Sequence, residues 1–560
     1  MSTPPTPTPS LSALSAESAE RTPSGSALAA ESAGRGAGVE ATAQRAAAIA
    51  PVLAATPPAA LAAGLRAAAT ALRADADRLI VIAAEETGLA PTPRLRGELE
   101  RTAVQLELFS EVALDGSHLD LRIDEADPAF RPLPRPDLRR MLVPLGPVLV
   151  FAASNFPFAF SVAGGDTAAA LAAGCPVVVK AHPGHPQLSA AVADVVRAAL
   201  DGAGLPADSL QLAGLPGAEG PDDDGVAAGV ALLRDERIAA ASFTGSQRAG
   251  RYLADVAAAR RRPIPFYGEL GSTNPVVVTE GALAAARAAG VDTFAAAYAT
   301  SATASAGQLC TQPGFVFLPD GALDADGGSL ADALAHAFSA VSEHRLLHPG
   351  IAAGYSARRD AVLGSEGVVA VVEGRVRSDE AGQAWATPTL VRTTLEALLA
   401  GGHGLREEAF GPLSVMVEYP SLEALTTAVP QLYEGELTAA VHVTTDEAGS
   451  AEVAALVAEL SAVAGRVLFN GWPTGVSVTP AMQHGGPYPA TTDAGRTTSV
   501  GTAAIGRFLR PVAFQDAPAA LLPPALRDEE PWGVPRTVSR AGESASWGVS
   551  PQLGGHGGSR

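Results

Sequence analysis

The stretch GPVLVFAASNFPFAFSVAGGDTAAALAAGCPVVVK, residues 146–180, carries the pattern that decides the fold class. It opens with an apolar run, PVLVF, and closes with a second one, PVVVK, and each predicts a buried strand. Between them, VAGGDTAAALAAG predicts a helix that ends at Gly174, because glycine is common just beyond a helix end. A strand, a helix and a second strand in this order indicate a βαβ unit.

The same alternation continues along the chain. SLQLAGL, GVAAGVALLRDE, IAAASFTG and RAGRYLADVAAAR, between residues 209 and 260, predict strand, helix, strand and helix in turn. Helical periodicity over residues 46–120 predicts several helices before the first sheet, and a second alternating stretch runs from residue 274 to about 465. We therefore expect an α/β fold: a mostly parallel sheet covered on both faces, followed by a second α/β domain.

Three segments follow predicted strands directly: SNFPF (154–158), KAHPGHP (180–186) and TGSQRAG (244–250). In parallel α/β sheets, ligands bind beyond the carboxyl ends of the strands. The sequence therefore predicts a ligand site formed by these segments.

The composition is that of a globular protein. The 560-residue chain is 47% hydrophobic and 18% charged, which is enough apolar material for a sizeable core in two or three domains. With 39 basic and 59 acidic side chains, its net charge of -20 disfavours nucleic acid and anionic membranes as partners. Cys175 and Cys310 are too few for a disulfide framework or a zinc site, so we expect a reducing compartment and no metal.

The termini differ in composition from the rest of the chain. Residues 1–45 are rich in proline, serine and alanine and lack aromatic residues, which predicts a disordered tail. Residues 516–560 are again rich in proline, glycine and serine and predict an extension that wraps the surface or is disordered. No signal peptide and no apolar run of about 20 residues is evident, so we expect a cytoplasmic protein.

Two residue types are unusually rare. The chain has 38 arginines but a single lysine, Lys180, and only three asparagines, Asn155, Asn274 and Asn470. Lysine and arginine are not interchangeable, so a lysine kept against such a bias is expected where its compact ammonium is needed.

The segments after the predicted strands offer nucleotide-binding groups. Lys180 closes a strand, where its ammonium can reach a ribose hydroxyl or a phosphate; the alternative is a surface lysine. In FTGSQRAG, Gly245 permits a phosphate to approach the backbone closely, and Ser246 and the amides of the first helical turn can bind its oxygens. Gly250 is the last residue of this Gly-Ser-x-x-x-Gly pattern. The alternative for this segment is an ordinary helix cap.

Three further residues suggest covalent catalysis. Cys310, in GQLCTQPG, has polar neighbours that argue against the default role of a buried, inert cysteine. Asn155 follows a strand, where its amide can donate to an oxyanion, although a turn asparagine is the alternative. Burial of Glu269 within FYGELGSTNP would raise its pKa and suit it to general-base work; the alternative is a solvated or ion-paired strand end.

Together these residues resemble a known family. Asn155, Lys180, FTGSQRAG, GELGSTNP, GQLCTQPG and EEAFGP occur in the order and at the spacing of the aldehyde dehydrogenase superfamily, which the chain resembles from about residue 46 to about 515. RPIPFYGELGSTNPVVV, GRVLFNGWPTGVSVTPAMQHGGPYPATTD and RTTSVGTAAIGRFLRPV resemble the branch containing α-ketoglutaric semialdehyde (2,5-dioxopentanoate) dehydrogenases and NADP-dependent fatty aldehyde dehydrogenases.

The resemblance implies an architecture of two Rossmann-like α/β domains and a small β element for oligomerisation. By this comparison the cofactor-binding domain comprises residues 46–128 and 148–269, the catalytic domain residues 270–465, and the oligomerisation element residues 129–147 and 496–515. A homodimer or homotetramer is expected.

The resemblance also implies a mechanism. Cys310 as thiolate attacks the aldehyde, and the Asn155 amide and the Cys310 backbone N–H hold the resulting oxyanion. Hydride passes to a nicotinamide, whose ribose is gripped by Glu408 of EEAFGP with Phe410 packed nearby. Glu269 then activates the water that hydrolyses the thioester.

Cofactor preference is inferred from a departure from the family pattern. Many NAD-preferring members carry a glutamate three residues after the lysine, where it repels a 2′-phosphate, but this chain has Pro183 there. Lys180 and His182 can then hold the phosphate. We expect NADP as the preferred cofactor, with NAD possible.

The expected substrate is α-ketoglutaric semialdehyde, whose carboxylate needs a cation; Arg101 in GELERTAVQLELF is the candidate, and a surface helix arginine is the alternative. Three other functions stay open. The chain could be a medium- or long-chain aldehyde dehydrogenase, or a catalytically inactive binding protein with the aldehyde dehydrogenase fold. Cysteine-dependent ester hydrolysis is the third, as a side activity.

Overall fold

The computed structural model describes residues 25–215, 225–323, 330–380, 382–473, 475–529 and 531–543. In chain order, the helices are α1 (Gly25–Ala54), α2 (Pro58–Ala74), α3 (Ala76–Thr87), α4 (Arg96–Asp115), α5 (Gly165–Ala172), α6 (Pro186–Gly202), α7 (Val226–Arg234), α8 (Gln247–Ala258), α9 (Glu280–Ala289), α10 (Val291–Thr303), α11 (Leu330–Ser339), α12 (Pro349–Leu363), α13 (Leu395–Ala400), α14 (Gly402–Arg406), α15 (Leu422–Leu432) and α16 (Ala451–Val463). The strands are β1 (Leu121–Asp124), β2 (Leu138–Pro144), β3 (Val148–Phe151), β4 (Val177–Lys180), β5 (Leu210–Ala213), β6 (Ala240–Thr244), β7 (Phe266–Glu269), β8 (Val276–Val278), β9 (Phe315–Pro319), β10 (His344–Arg345), β11 (Val369–Val372), β12 (Val376–Ser378), β13 (Ala384–Ala386), β14 (Thr389–Thr394), β15 (Leu413–Tyr419), β16 (Glu436–His442), β17 (Ala464–Phe469), β18 (Leu509–Gln515) and β19 (Arg536–Ser539).

The first large sheet is parallel throughout, in the order β5-β4-β3-β6-β7. Along β3, Val148 and Val150 pack into the core formed with α2 to α6, while Leu149 and Phe151 pack into the core formed with α1, α7 and α8. Burial on both faces explains why this strand is apolar at every position. The predicted βαβ units are confirmed here.

The second large sheet has the order β11-β14-β15-β9-β8-β16-β17 and is parallel except for its edge strand β11. Its inner strands are also buried on both faces: in β8, Val277 points to one core, and Val276 and Val278 to the other. The α/β fold class with two doubly covered sheets is therefore confirmed. The chain also forms a small three-stranded sheet of order β10-β13-β12, whose strands come between β9 and β14 in the sequence.

A separate sheet of order β18-β2-β1-β19 combines distant parts of the chain. Strands β2 and β18, from the predicted oligomerisation element, pair antiparallel over their full lengths. The C-terminal extension adds β19, which runs parallel to β1, and buries Leu526 and Val534 beside Met141. Residues 516–543 thus wrap this sheet, while residues 544–560 lie outside the described part of the chain. The role of the sheet in assembly stays a prediction.

The structure differs from the predicted N-terminal tail. Helix α1 begins at Gly25, and Val39, Ala43 and Ala46 are buried against the first sheet. Spacings of four and three residues place these small side chains on one face of a helix, so a disordered tail extending to residue 45 is wrong for this segment. The remainder of the predicted tail, residues 1–24, is outside the described ranges. Across those ranges, no helix combines the length and apolar character needed to cross a membrane.

Candidate active site

The predicted site residues converge at one edge of the first sheet. Asn155 follows β3, Lys180 ends β4, Ser246 follows β6 and Glu269 ends β7. Because these strands are parallel neighbours, their carboxyl ends meet at the same edge. The prediction that the site lies beyond these strand ends matches the geometry.

Cys310 lies in a tightly folded loop after α10. Three consecutive residues before it, Ser305, Ala306 and Gly307, have φ angles of 52°, 56° and 64°. Left-handed backbone at non-glycine residues is uncommon and is found where surrounding contacts hold it. A side chain at position 307 would lie 2.3 Å from the Gly411 carbonyl oxygen, so glycine is required there.

Two asparagines fix this loop from opposite sides. The Asn155 side-chain amide donates to the Gln308 carbonyl at 3.0 Å. The Asn274 amide donates to the carbonyls of Cys310 and Gln312 at 2.8 and 2.9 Å. The nucleophile candidate is therefore held at a set position between the two large sheets.

His484 is the functional candidate that sequence reasoning did not single out. Its Nε2 lies 3.7 Å from the Cys310 sulfur and 2.8 Å from Oε1 of Glu269. The side chains of His484 and Glu269 are only 1% and 3% exposed. The signal was present, because QHGGPYP is among the segments that resemble the family branch, but it does not indicate what the histidine contacts.

Glu269 is ionised more readily than expected. Burial by itself would raise the pKa of Glu269, but the nearby His484 imidazole and a hydrogen bond donated by the Ser499 hydroxyl lower it below its ordinary value. The predicted rise is therefore wrong, and the physical reason is that both partners favour the carboxylate. Glu269 is a carboxylate at neutral pH.

Cys310 shows the opposite behaviour. Burial raises the pKa of its thiol well above the ordinary value, and the carboxylates of Glu269 and Glu408 raise it further. The free protein therefore holds a thiol, and the expected thiolate forms only when a base accepts the proton.

Arg101 projects into the same region. Its guanidinium carbon lies 6.0 Å from the ring centre of Phe156 and 5.7 Å from that of Phe160. Its Nε and Nη2 atoms are buried and make no hydrogen bond. Burial lowers the pKa of Arg101, while the fields of Glu98 and Cys310 act in the opposite sense. Arg101 is half-buried, with these two atoms covered, so it is not a fully exposed surface arginine.

The nucleotide-binding candidates form an open cradle. Ser246 caps α8 by accepting a hydrogen bond from the Ala249 amide at 3.3 Å. Gly245 and Ser246 are exposed, so there is room for a phosphate at the start of this helix. Lys180 is 7% exposed at the end of β4, which is separated from β6 by β3. Gly250 instead faces the sheet, where a side chain would lie 2.1 Å from Leu270. Gly250 therefore serves helix packing.

The loop after β4 places two other candidates differently. His182 is half-buried, with its ring 5.4 Å from those of both His185 and His348. Burial, followed by the fields of His185 and His348, lowers the pKa of His182 well below its ordinary value. It can therefore offer a hydrogen bond to a phosphate but no positive charge at neutral pH. Pro183 is exposed beside it.

Glu408 and Phe410 reach the site from the second large domain. Burial raises the pKa of Glu408 to about 8, and the field of Glu436 contributes. The Glu408 carboxylate lies so near Gly271 that a side chain there would be 2.2 Å from its oxygen. Phe410 packs against the core of the first domain, so this segment crosses between the domains.

Comparisons with known proteins show the family to which the chain belongs. Residues 14–488 match the family model described as aldehyde dehydrogenase family. Alpha-ketoglutaric semialdehyde dehydrogenase 2 of Azospirillum brasilense is 44% identical over 86% of this chain and 87% of its own length. Alpha-ketoglutaric semialdehyde dehydrogenase of Acinetobacter baylyi is 40% identical over 82% and 83%.

A solved structure shows the same fold. The structure of 3,6-anhydro-L-galactose dehydrogenase in complex with NAP superposes with a TM-score of 0.69 at 21% identity. The match covers 85% of this chain and 91% of the other. At that identity the likeness supports the fold alone.

Proposed function

This chain belongs to the aldehyde dehydrogenase family, and on that premise we propose that it oxidises α-ketoglutaric semialdehyde to 2-oxoglutarate, preferentially with NADP. As a member of the family it is an oxidoreductase that converts an aldehyde to a carboxylic acid with NAD(P). The substrate, the preference between the two cofactors and the residue roles are the proposal. The names of its 40–44% identical relatives support the substrate.

The observation that carries the substrate is the buried guanidinium of Arg101. Nε and Nη2 lack hydrogen-bond acceptors, and the group stacks near Phe156, the residue after the oxyanion candidate Asn155. A buried cation without an acceptor is costly, and a carboxylate can accept two parallel hydrogen bonds from it. A semialdehyde with a carboxylate at its far end satisfies this group while its carbonyl reaches Cys310.

The test compares two aldehydes in the Arg101→Ala variant. Loss of charge-assisted hydrogen bonds should lower kcat/KM for α-ketoglutaric semialdehyde by roughly 10- to 100-fold and leave hexanal little changed. Arg96→Ala, on an exposed face of the same helix, is the matched control and should alter neither value. Equal losses for both aldehydes would remove Arg101 from the proposal.

Cys310 supplies the nucleophile and Glu269 receives its proton. The thiol is protonated in the free protein because its pKa is raised, so attack on the carbonyl requires a base. A carboxylate oxygen of Glu269 lies within 4.8 Å of the sulfur, and Glu269 can take the proton as the carbon–sulfur bond forms and pass it to solvent. Nε2 of His484 faces both groups, at 3.7 Å from the sulfur and 2.8 Å from Oε1, and helps to position them.

The following steps use residues at the same edge. A side-chain amide has two N–H donors, so Asn155 can hold the thiohemiacetal oxyanion while it donates to Gln308, together with the Cys310 backbone N–H. A bound nicotinamide dinucleotide supplies the hydride acceptor. Glu269 then takes a proton from the water that hydrolyses the thioester, which releases the acid and restores the thiol.

NADP preference is supported by the loop after β4. Pro183 provides no carboxylate to repel a 2′-phosphate, and Lys180 ends the strand beside it. We expect a higher kcat/KM with NADP than with NAD, and Pro183→Glu should lower the NADP value at least about tenfold. Pro183→Gln has similar size without charge and should keep the preference. A wild-type enzyme that clearly prefers NAD would contradict this inference.

A medium- or long-chain aldehyde is the second candidate substrate. A cavity of about 460 Å³ adjoins Leu309, next to the nucleophile, and is lined mainly by small and apolar side chains: Ala296, Ala297, Thr300, Ser301, Ala304, Trp472 and Pro473. This lining suits an alkyl chain. A kcat/KM for hexanal above that for the semialdehyde would favour this candidate. The convergence of Cys310, Asn155 and Glu269 argues against an inactive binding protein.

We infer a homodimer or homotetramer in a cytoplasmic setting. The antiparallel pairing of β2 and β18 forms the separate sheet expected of the oligomerisation element. The molar mass in solution, measured by light scattering, tests the assembly: a monomer would contradict it.

A further inference from the structure

The ligand atoms of two buried side chains and one half-buried side chain converge as metal ligands do. The Cys310 sulfur, His484 Nε2 and a Glu269 carboxylate oxygen all lie within 4.8 Å of one another. In a tetrahedral zinc site, bond lengths of about 2.0–2.3 Å place neighbouring ligand atoms about 3.3–3.6 Å apart. The sulfur–nitrogen distance here is 3.7 Å and the nitrogen–oxygen distance 2.8 Å, so a small movement of the carboxylate would complete the geometry.

The hydrogen bonding within this cluster is incomplete. His484 Nε2 faces the sulfur of Cys310 and Oε1 of Glu269 at the same time, and a single N–H cannot donate fully to both. Nε2 and Oε1 are 2.8 Å apart, as in an ion pair, but their alignment is poor for a hydrogen bond, and among the described residues Oε1 has no other partner. A buried carboxylate oxygen without a donor is costly, and a cation placed between the three atoms would satisfy it.

The surrounding structure presents these atoms rigidly. The Ser499 hydroxyl holds the second carboxylate oxygen of Glu269, which aims Oε1 at the cluster. The backbone N–H of His484 donates to the Thr498 hydroxyl at 2.9 Å. Ligand identity, spacing and contacts that hold the ligands in place are features expected of a metal site.

We propose that the cofactor-free enzyme binds one thiophilic divalent cation, such as Zn²⁺, through Cys310, His484 and Glu269, and that this cation reversibly blocks aldehyde oxidation. No zinc site is predicted from the sequence because the chain has only two cysteines. A zinc ion can, however, be bound by one cysteine together with a histidine and a carboxylate. Water fills the fourth position.

Binding balances in charge. The S–H bond of Cys310 and the Nε2–H bond of His484 break as the sulfur–metal and nitrogen–metal bonds form. The thiol proton passes to solvent and the imidazole proton moves to Nδ1, without a change of oxidation state. The thiolate and the Glu269 carboxylate together neutralise the two positive charges.

The inference goes beyond the proposed function because binding needs neither aldehyde nor dinucleotide. Co²⁺ is the probe, since a cysteine thiolate bound to it gives a near-ultraviolet charge-transfer absorption. Titration of the cofactor-free, full-length protein, in a buffer without thiols or chelators, should show this band saturating at one Co²⁺ per chain and disappearing on addition of Zn²⁺. Zn²⁺ should also inhibit aldehyde oxidation, and EDTA should restore it.

Variants assign the ligands. Cys310→Ser should abolish the band, and His484→Gln should weaken Co²⁺ binding by at least about 100-fold, since even supporting contacts of a metal are worth 10- to 100-fold. Cys175→Ala and His336→Gln are matched controls away from the cluster and should keep the band.

A wild-type protein without the thiolate band, a band that survives Cys310→Ser, or unchanged binding in His484→Gln would overturn the site. Because absorption is read without substrate, an enzyme that oxidises no aldehyde could still show the band. Failure of the metal site and failure of the proposed function are thus separable.

Discussion

Each of the three asparagines joins two segments of the chain. Asn155 donates to the carbonyl of Gln308, and Asn274 donates to that of Cys310 from a left-handed backbone position with φ of 48°. Asn470, with φ of 52°, accepts a backbone N–H from the loop after β16. Asparagine is one of few residues that combine this backbone with a donor and an acceptor. Its rarity in this chain therefore points to residues that shape the site.

Glu408 predicts a pH dependence of stability. Its pKa is raised from 4.5 to about 8 in the folded protein, whereas in the unfolded chain it titrates near the ordinary value. Between these values the folded state keeps a proton that the unfolded chain releases, so rising pH favours unfolding. The Tm of the wild type, measured by calorimetry without cofactor, should fall relative to that of Glu408→Gln from about pH 5 to pH 8.

Above about pH 8 the difference between the two proteins should become constant, because both states have then lost the proton. Glu407→Gln alters the exposed neighbour and is the matched control; its Tm should follow the wild type across the range. Parallel curves for the wild type and Glu408→Gln would show that Glu408 keeps an ordinary pKa.

Some residues of the site could be predicted from the sequence and others could not. Cys310, Glu269 and Asn155 could be predicted because each lies in a recognisable local segment. His484 contacts a sulfur 174 residues away in the chain, and no local pattern encodes that approach. The direction of the pKa shift of Glu269 depends on His484 and Ser499, so it could not be derived without their positions.

At the scale of elements, the strands and helices of the first sheet follow from local signals. β3, α5, β4 and α6 fall where the apolar runs and the helical periodicity predict them. α1 and β19 were missed because proline, glycine and serine dominate their surroundings, and their burial comes from contacts with distant parts of the chain. Composition predicts only the intrinsic preference of a segment for helix or strand. In α1 and β19, tertiary contacts override that preference.

The loop before Cys310 predicts a strong effect of Gly307→Ala. The added methyl would lie 2.3 Å from the Gly411 carbonyl oxygen and would also occupy a left-handed backbone with φ of 64°. The loop must shift, so kcat should fall by more than about tenfold and the Tm should drop. Steady-state kinetics and thermal unfolding measure the two effects.

Gly321→Ala is the matched control. Its φ is 71°, but no atom of the described residues lies within 4 Å of the added methyl. It should carry only the backbone cost of about 1–2 kcal/mol and leave kcat unchanged. Similar kinetics for the two variants would mean that the close approach to Gly411 does not position the nucleophile.

At the scale of the whole molecule, the C-terminal extension is part of the folded core. It contributes β19 to the separate sheet and a hydrophobic cluster in which Leu522, Ala525 and Leu526 are almost fully buried. Arg139 ties it to β2 by donating to the Leu526 carbonyl at 2.7 Å. The extension therefore connects the last described residues to the middle of the chain.

Leu526→Ala tests this role. The side chain is 0% exposed, so its truncation should cost about 2–5 kcal/mol of unfolding free energy through lost burial and the cavity left behind. Leu521→Ala, in the same extension but 75% exposed, should change stability by less than about 0.5 kcal/mol. The free energy of unfolding of both variants is measured by urea denaturation. Equal values for the two variants would mean that the extension is only loosely attached.

β19 changes which strand forms one border of the separate sheet. In the order β18-β2-β1-β19, β1 is an inner strand, and β18 and β19 are the two outer strands in the described part of the chain. Without β19, β1 would be an outer strand, and outer strands are where a sheet can accept a further strand. Any strand added at this border would therefore meet Arg536–Ser539 and not Leu121–Asp124.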